Sequence, residues 1–358
     1  MSRYFYYPII VCMLINTIIY VPKVLMEARF TGAITAMLIA IPLGTLLAFI
    51  FAKAMNRFPG KGLPEILKAH TPSWIRIPIL LFLGFMWFSA GSIVLVSYAL
   101  ITKRFINPDL QMSVLLVCFI LVGCWSATRS SESILNVMEI LIVLSSPLVM
   151  FISYKAFTSE SFDWDAILVF TDYAFKTPSL MTLAAATYLF TGYVCLAVFH
   201  RFFQESKPIR YFWVIPIIGF LVCFTTFFIP IGLHGTQAVE KYVYVWVSTA
   251  DSLNMKYGFI ERVLFVFLML YIMLCLLFIA LTWHIATELI RSVSTKESLL
   301  VKWLIVACIG MITYIYGSTF NEKQLTHLAE QWLILRLFAE LGLVGLIIYI
   351  SRRKKHAS

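Results

Sequence analysis

The 358 residues are 61% hydrophobic and only 13% charged, with a net charge of +10 and a mean hydropathy of +0.89. No water-soluble domain buries that much apolar surface around one core, so the solvent of this chain is lipid. Lipid-exposed backbone must be hydrogen-bonded internally, which leaves an all-α integral membrane protein folded as one domain over residues 1–358.

Windows of roughly 20 apolar residues place ten spans. They fall at 4–25, 31–52, 76–101, 111–126, 134–157, 179–199, 211–231, 262–290, 299–318 and 332–350. The apolar run after Met1-Ser2-Arg3 has no small-residue cleavage pattern and is too long for a signal peptide, so the first span is expected to remain. Within it, Asn16 and Thr17 place polar groups at mid-membrane, and Pro22 denies the following turn a hydrogen bond. Unwinding between Asn16 and Val21 is the expectation.

In the third span Trp87, Ser89 and Ser92 bring small polar groups beside an indole. They read equally as lining of a site or as glue between helices. Glu139 enters the fifth span with no local partner and is the candidate for ion coupling; a hydrated surround or protonation is the alternative. The sixth span carries Thr191-Gly192-Tyr193, where its mid-helix glycine stands between two hydrogen-bonding groups. Weak points in spans one and six suggest two halves in inverted topology, although each break taken singly also reads as a kink.

Between spans seven and eight, Tyr242, Val245, Trp246, Thr249 and Leu253 have helical spacing, predicting a short helix on the bundle or in the interface. Glu261 and Arg262 open span eight as a structural latch with a gating role. Further along that span His284 and Glu288 share a face, suited to a helix-end hydrogen bond more than to a metal. In span ten Arg336 and Glu340 are spaced i, i+4 and can pair on one face, which reads as a structural ion pair ahead of a proton relay. All seven cysteines lie in or beside spans and read as packing residues, since no CxxC occurs.

Lys and Arg collect at Arg3, Lys53 to Arg76, Arg129, Arg201 to Arg210, Arg291 to Lys302 and Arg352 to Lys355. Acids gather on alternate loops, at Glu160, Asp163, Asp165, Asp172, Glu240 and Asp251. The positive-inside rule then puts both termini in the cytoplasm, and the net charge is a topology signal rather than a sign of nucleic acid. The basic tail also suits anionic lipid headgroups. No HExxH, GxSxG or P-loop occurs, which argues against an enzyme, and no cofactor motif is present.

The ten-span pattern, "FPGKGLPEIL" (Phe58 to Leu67), "YGFIERVLFVFLMLY" (Tyr257 to Tyr271) and "VPK" (Val21 to Lys23) resemble the B subunits of endospore germinant receptors. Those are similar in turn to the amino acid/polyamine/organocation permease superfamily. The resemblance implies a five-plus-five inverted-repeat permease fold with broken helices one and six and a nutrient site between helices one, three, six and eight. It also implies companion A and C subunits and the spore inner membrane. Asn16, Thr17 and Ile18 with Thr191, Gly192 and Tyr193 are then expected to present backbone to the two ends of an amino acid, with Trp87, Ser92 and Tyr271 closing the apolar side. Leucine in place of Gly192 is expected to block that pocket while costing less in bundle assembly than a charge would. Two functions share this site: a receptor subunit that senses a small nutrient, and an ion-coupled amino acid transporter.

Overall fold

The computed structural model describes residues 3–203, 210–254, 262–294 and 298–357. Glu261 and most of the segment before it lie outside these residues. Among the described residues there are fifteen α-helices and no sheet. They are α1 (Tyr6–Asn16), α2 (Tyr20–Glu27), α3 (Ala33–Met55), α4 (Leu63–His70), α5 (Ser73–Ile101), α6 (Met112–Ala127), α7 (Ser131–Phe157) and α8 (Trp164–Leu168). There follow α9 (Leu180–Tyr188), α10 (Leu196–Phe199), α11 (Val214–Ala238), α12 (Val245–Ser252), α13 (Val263–Arg291), α14 (Leu299–Thr319) and α15 (Glu322–Ala357).

Seven helices are long and apolar enough to cross a bilayer, and two bent pairs raise the number to nine. The remaining expected span is α6, whose 16 residues reach about 24 Å at 1.5 Å per residue, short of a bilayer core of about 30 Å. Helices α5 and α13 pack along each other at the centre, with α6 and α7 against α13. On the other side α3 packs on α9 and α15. Outer faces of α7 and α14 expose Ile140, Val143, Leu144, Met311, Ile312 and Ile315, as lipid-facing helices do.

Tyr6 donates to the Arg210 carbonyl, Arg57 to that of Ser351 (2.8 Å) and Gly60 N–H to that of Phe203 (2.8 Å), so the start of α1 and the end of α15 share one end of the bundle, the termini face. Helix α15 begins ten residues before the expected 332. Its buried stripe Leu325, Ala329, Leu333, Leu337 recurs every fourth residue, so the helix continues through a stretch whose other faces are polar. The short helix expected between spans seven and eight is α12, with Val245, Trp246 and Thr249 buried on the bundle.

Both expected breaks are present. Helices α1 and α2 meet at 57° across Thr17–Ile19, one turn upstream of Pro22, whose missing N–H falls in the first turn of α2. The second bend, 61°, separates α9 from the stretch Thr191–Phe202. The bend falls at Leu189 and Phe190, two positions earlier than Thr191–Tyr193; both keep right-handed helical φ/ψ, and Thr191–Tyr193 are wound as a 3-10 turn. Gly192 explains the shift, because it serves a close helix contact rather than an opening.

Candidate functional site

Every helix break leaves backbone groups without intrahelical partners, and side chains at the two breaks take several of them. Asn16 Nδ2 donates to the Tyr188 carbonyl at 3.1 Å, tying the end of α1 to the end of α9. From α15, Arg336 reaches the same place. Its guanidinium donates to the Ala184 carbonyl of α9, to Thr187 Oγ1 at 3.0 Å and to Thr191 Oγ1 at 3.0 Å. Glu340 pairs directly with Arg336 and accepts from Thr191 Oγ1 at 3.0 Å. The cation therefore sits at the carbonyl end of α9 and the anion at the start of the next helical stretch, each at the pole of the helix dipole that favours it. Both side chains are buried, at 4% and 6% exposure.

This pair forms one wall of a cavity of about 40 Å³ between the sixth-span break, α5 and α15. Cys12, Trp87, Tyr188, Phe278 and Trp332 are part of its apolar lining. At roughly 10–15 Å³ per water it holds about three waters, too little room for an amino acid in this arrangement. Tyr188 and Trp332 meet edge-on at 5.3 Å and separate it from a second cavity of about 20 Å³ lined by Asn16, Tyr20 and Ile93. Above that, Tyr20 hydroxyl and Ser97 Oγ are hydrogen-bonded at 2.8 Å, Lys23 faces Glu330 at 3.9 Å, and Arg29 joins Glu240 at 2.6 Å. The face opposite the termini is thus bolted across the same gap.

The termini face is also closed. Arg201 bonds Glu65 at 2.8 Å and Glu288 at 3.2 Å, and Glu288 accepts from Arg291 at 3.0 Å, with Lys302 at 3.7 Å. His284 spends its ring nitrogens on the Ala127 carbonyl (3.0 Å) and Ser131 Oγ (2.7 Å), the helix-end bonding that its position suggested. Among the described residues no group of three His, Cys, Asp or Glu side chains is placed to hold a metal.

Of the residues expected to line one pocket, the structure brings only some together. Thr191 and Trp87 line the first cavity and Asn16 the second. Thr17 and Ile18 face away, into a separate cavity of about 60 Å³ against α7, α11 and α13, and Thr17 Oγ1 bonds back to the Leu14 carbonyl. Ser92 is turned toward α14, where its hydroxyl meets Thr313 Oγ1 at 2.7 Å as interhelical glue. Tyr193 packs on Phe51 at 5.5 Å and Tyr271 on Tyr98 at 5.0 Å, and both are fully buried outside the cavity.

Gly192 is a correction of substance. A Cβ there would stand 2.2 Å from the Pro8 carbonyl oxygen and 2.4 Å from Ile9 Cα, so its bareness admits the backbone of α1 rather than a ligand. Glu139 is half-buried on α7 and lines none of these cavities, whereas Glu340 is the carboxylate at the break. Arg262 is exposed before α13, its backbone bridged to Asn254. Residues missed in the sequence are Cys12, Tyr188 and Trp332. A usable signal existed for Trp332, which precedes Arg336 and Glu340 on one face at four-residue spacing.

Residues 3–331 match the family described as spore germination protein. No curated protein matches the chain. Among solved structures, a Na+-coupled sialic acid symporter in its substrate-bound outward-open state superposes with a TM-score of 0.51 at 14% identity, covering 95% of this chain and 76% of that one. That likeness shows a shared transporter fold.

Proposed function

Because this chain belongs to the spore germination protein family, a family of permease-like membrane proteins, we propose that it is the nutrient-binding membrane subunit of a germinant receptor. The ligand is a small zwitterion, an amino acid, and the partners are A and C subunits in the spore inner membrane, with both termini cytoplasmic. One observation carries this reading: a buried Arg336–Glu340 pair on an otherwise apolar cavity beside a broken helix. Such a pair holds opposite charges at the separation an amino acid presents. On binding, the carboxylate exchanges for Glu340 on the guanidinium and the ammonium for Arg336 on the carboxylate, so neither protein charge is left unpaired.

Exchange requires the small cavity to widen. The ligand then shifts a balance between closed and open arrangements by its differential affinity for them, and partner subunits read that shift. The second reading, an ion-coupled amino acid transporter, is favoured by the likeness to a Na+-coupled symporter and uses the same cavity. Equilibrium binding of labelled amino acids to the purified chain, followed by uptake into proteoliposomes under a proton or sodium gradient, tests both. Saturable binding without gradient-driven accumulation supports the receptor; accumulation supports the transporter; the absence of binding by any amino acid sinks both.

A further inference from the structure

A more spacious cavity lies away from the two helix breaks. It lies at the termini face, has a volume of about 610 Å³, and is walled by α4, the start of α5, the end of the sixth span and the end of α13. Its charged lining is Glu65, Lys68, Arg76, Arg201, Glu288 and Arg291, four cations against two carboxylates. Both carboxylates are already engaged. Glu65 accepts from Arg201 at 2.8 Å and from the Gly62 N–H at 2.9 Å, and Glu288 is shared between Arg201 and Arg291.

Lys68 and Arg76 form no ion pair among the described residues. Arg76 spends one Nη on Ser73 Oγ at 3.3 Å, while its Nε is buried without a hydrogen-bond partner among the described residues. Lys68 is exposed and Arg76 half-buried, and an anion entering this cavity meets an excess of two positive charges whose mutual repulsion it relieves. Guanidinium forks suit a tetrahedral oxyanion, which accepts several N–H bonds at once.

We infer that this cavity is a binding site for a phosphate-class oxyanion, carried on a phospholipid headgroup or on a free phosphate, held chiefly by Arg76 and Lys68. The four walls belong to elements that must separate for the termini face to open, and the anion draws them together. Occupancy therefore favours the arrangement closed at this face. Pockets at membrane depth between basic helix ends are reachable by headgroups from the adjoining leaflet.

The test uses the full chain purified in a neutral detergent and stripped of lipid. Thermal melting is followed with inorganic phosphate, with sodium chloride at matched ionic strength, and after reconstitution into nanodiscs of phosphatidylcholine alone or with phosphatidylglycerol. A saturable rise with phosphate beyond that with chloride identifies a free phosphate ligand. A rise only with phosphatidylglycerol, with that lipid retained in native mass spectrometry, identifies a headgroup. In either case Lys68→Gln/Arg76→Gln is expected to weaken half-saturation at least tenfold, while its melting temperature without anion equals or exceeds the parent's because repulsion is relieved. Arg76→Lys, which keeps the charge and loses the fork, is expected to fall between. No stabilisation by phosphate beyond chloride together with none by phosphatidylglycerol beyond phosphatidylcholine, or an unchanged response in the double variant, overturns the assignment.

Discussion

Removing one member of the Arg336–Glu340 pair and removing both should have opposite consequences. Arg336 is 4% exposed, and besides Glu340 its guanidinium has only neutral oxygens, those of Ala184, Thr187 and Thr191. Glu340→Gln leaves that cation uncompensated, and Arg336→Met leaves the carboxylate with one hydroxyl donor. Breaking a buried pair from either side costs about 3–5 kcal/mol, because the partner stays desolvated and unpaired. Replacing both with apolar residues of similar volume, Arg336→Met/Glu340→Leu, is neutral or stabilising by about 1–4 kcal/mol. Some of that return is lost here, since the Ala184 carbonyl gives up one donor while keeping Thr187 Oγ1 at 3.0 Å, a loss of about 1 kcal/mol. The double variant should therefore fall between about 1 kcal/mol less and about 3 kcal/mol more stable than the parent. Melting in mild detergent and SDS-induced unfolding measure the three stabilities, and amino-acid-dependent stabilisation is recorded on the same samples. The double variant should be folded and unresponsive. If its cost equals the sum of the singles, the two side chains do not act as a desolvated pair. A double variant that still answers to ligand removes the pair from the site.

Gly192→Ala should destabilise by about 1–3 kcal/mol and Gly192→Leu by more, because the added Cβ meets α1 backbone that no rotamer change can move; normal melting of Gly192→Leu would contradict the packing described. Asn16→Ala strips the Tyr188 carbonyl of its buried donor and should cost about 1–3 kcal/mol, while Thr17→Ala, whose hydroxyl only bonds back within its own helix, should cost less than about 1 kcal/mol. Equal melting temperatures for these two would count against the tie between the broken helices. A reporter fused after Ser358 should be active only when targeted to the cytoplasmic side, and activity on the outer face alone would invert the proposed topology.

Glu139 and Glu340 show where the sequence stops being legible. Both are single carboxylates inside apolar spans, and the cost of burying them in hydrocarbon marks both as unusual. Nothing local distinguishes a half-buried position on the peripheral α7 from one at the seam of the sixth span. The Arg336–Glu340 pairing itself was readable, since i, i+4 neighbours meet on any helix. Its contact with Thr191, 145 residues before Arg336, was not. Gly192 makes the same point from another side: a bare Cα permits close approach, and only the packed structure shows that the approaching backbone is α1.

By itself the sequence determined the solvent, the helical class, the order of spans and the neighbourhoods of both breaks. Each of these follows from short-range physics: hydropathy over a bilayer's thickness, a proline's missing N–H, a hydroxyl competing for backbone. Tertiary structure alone decided which faces look inward. A rotation of about 100° per residue separates neighbours on a helix, so Ser92 points to α14 while Trp87 and Ala90 point to the cavity, and no span's own composition sets that rotation. It is set by the fit of α5 against α13, of α15 against α9, and of α1 against a glycine that leaves it room.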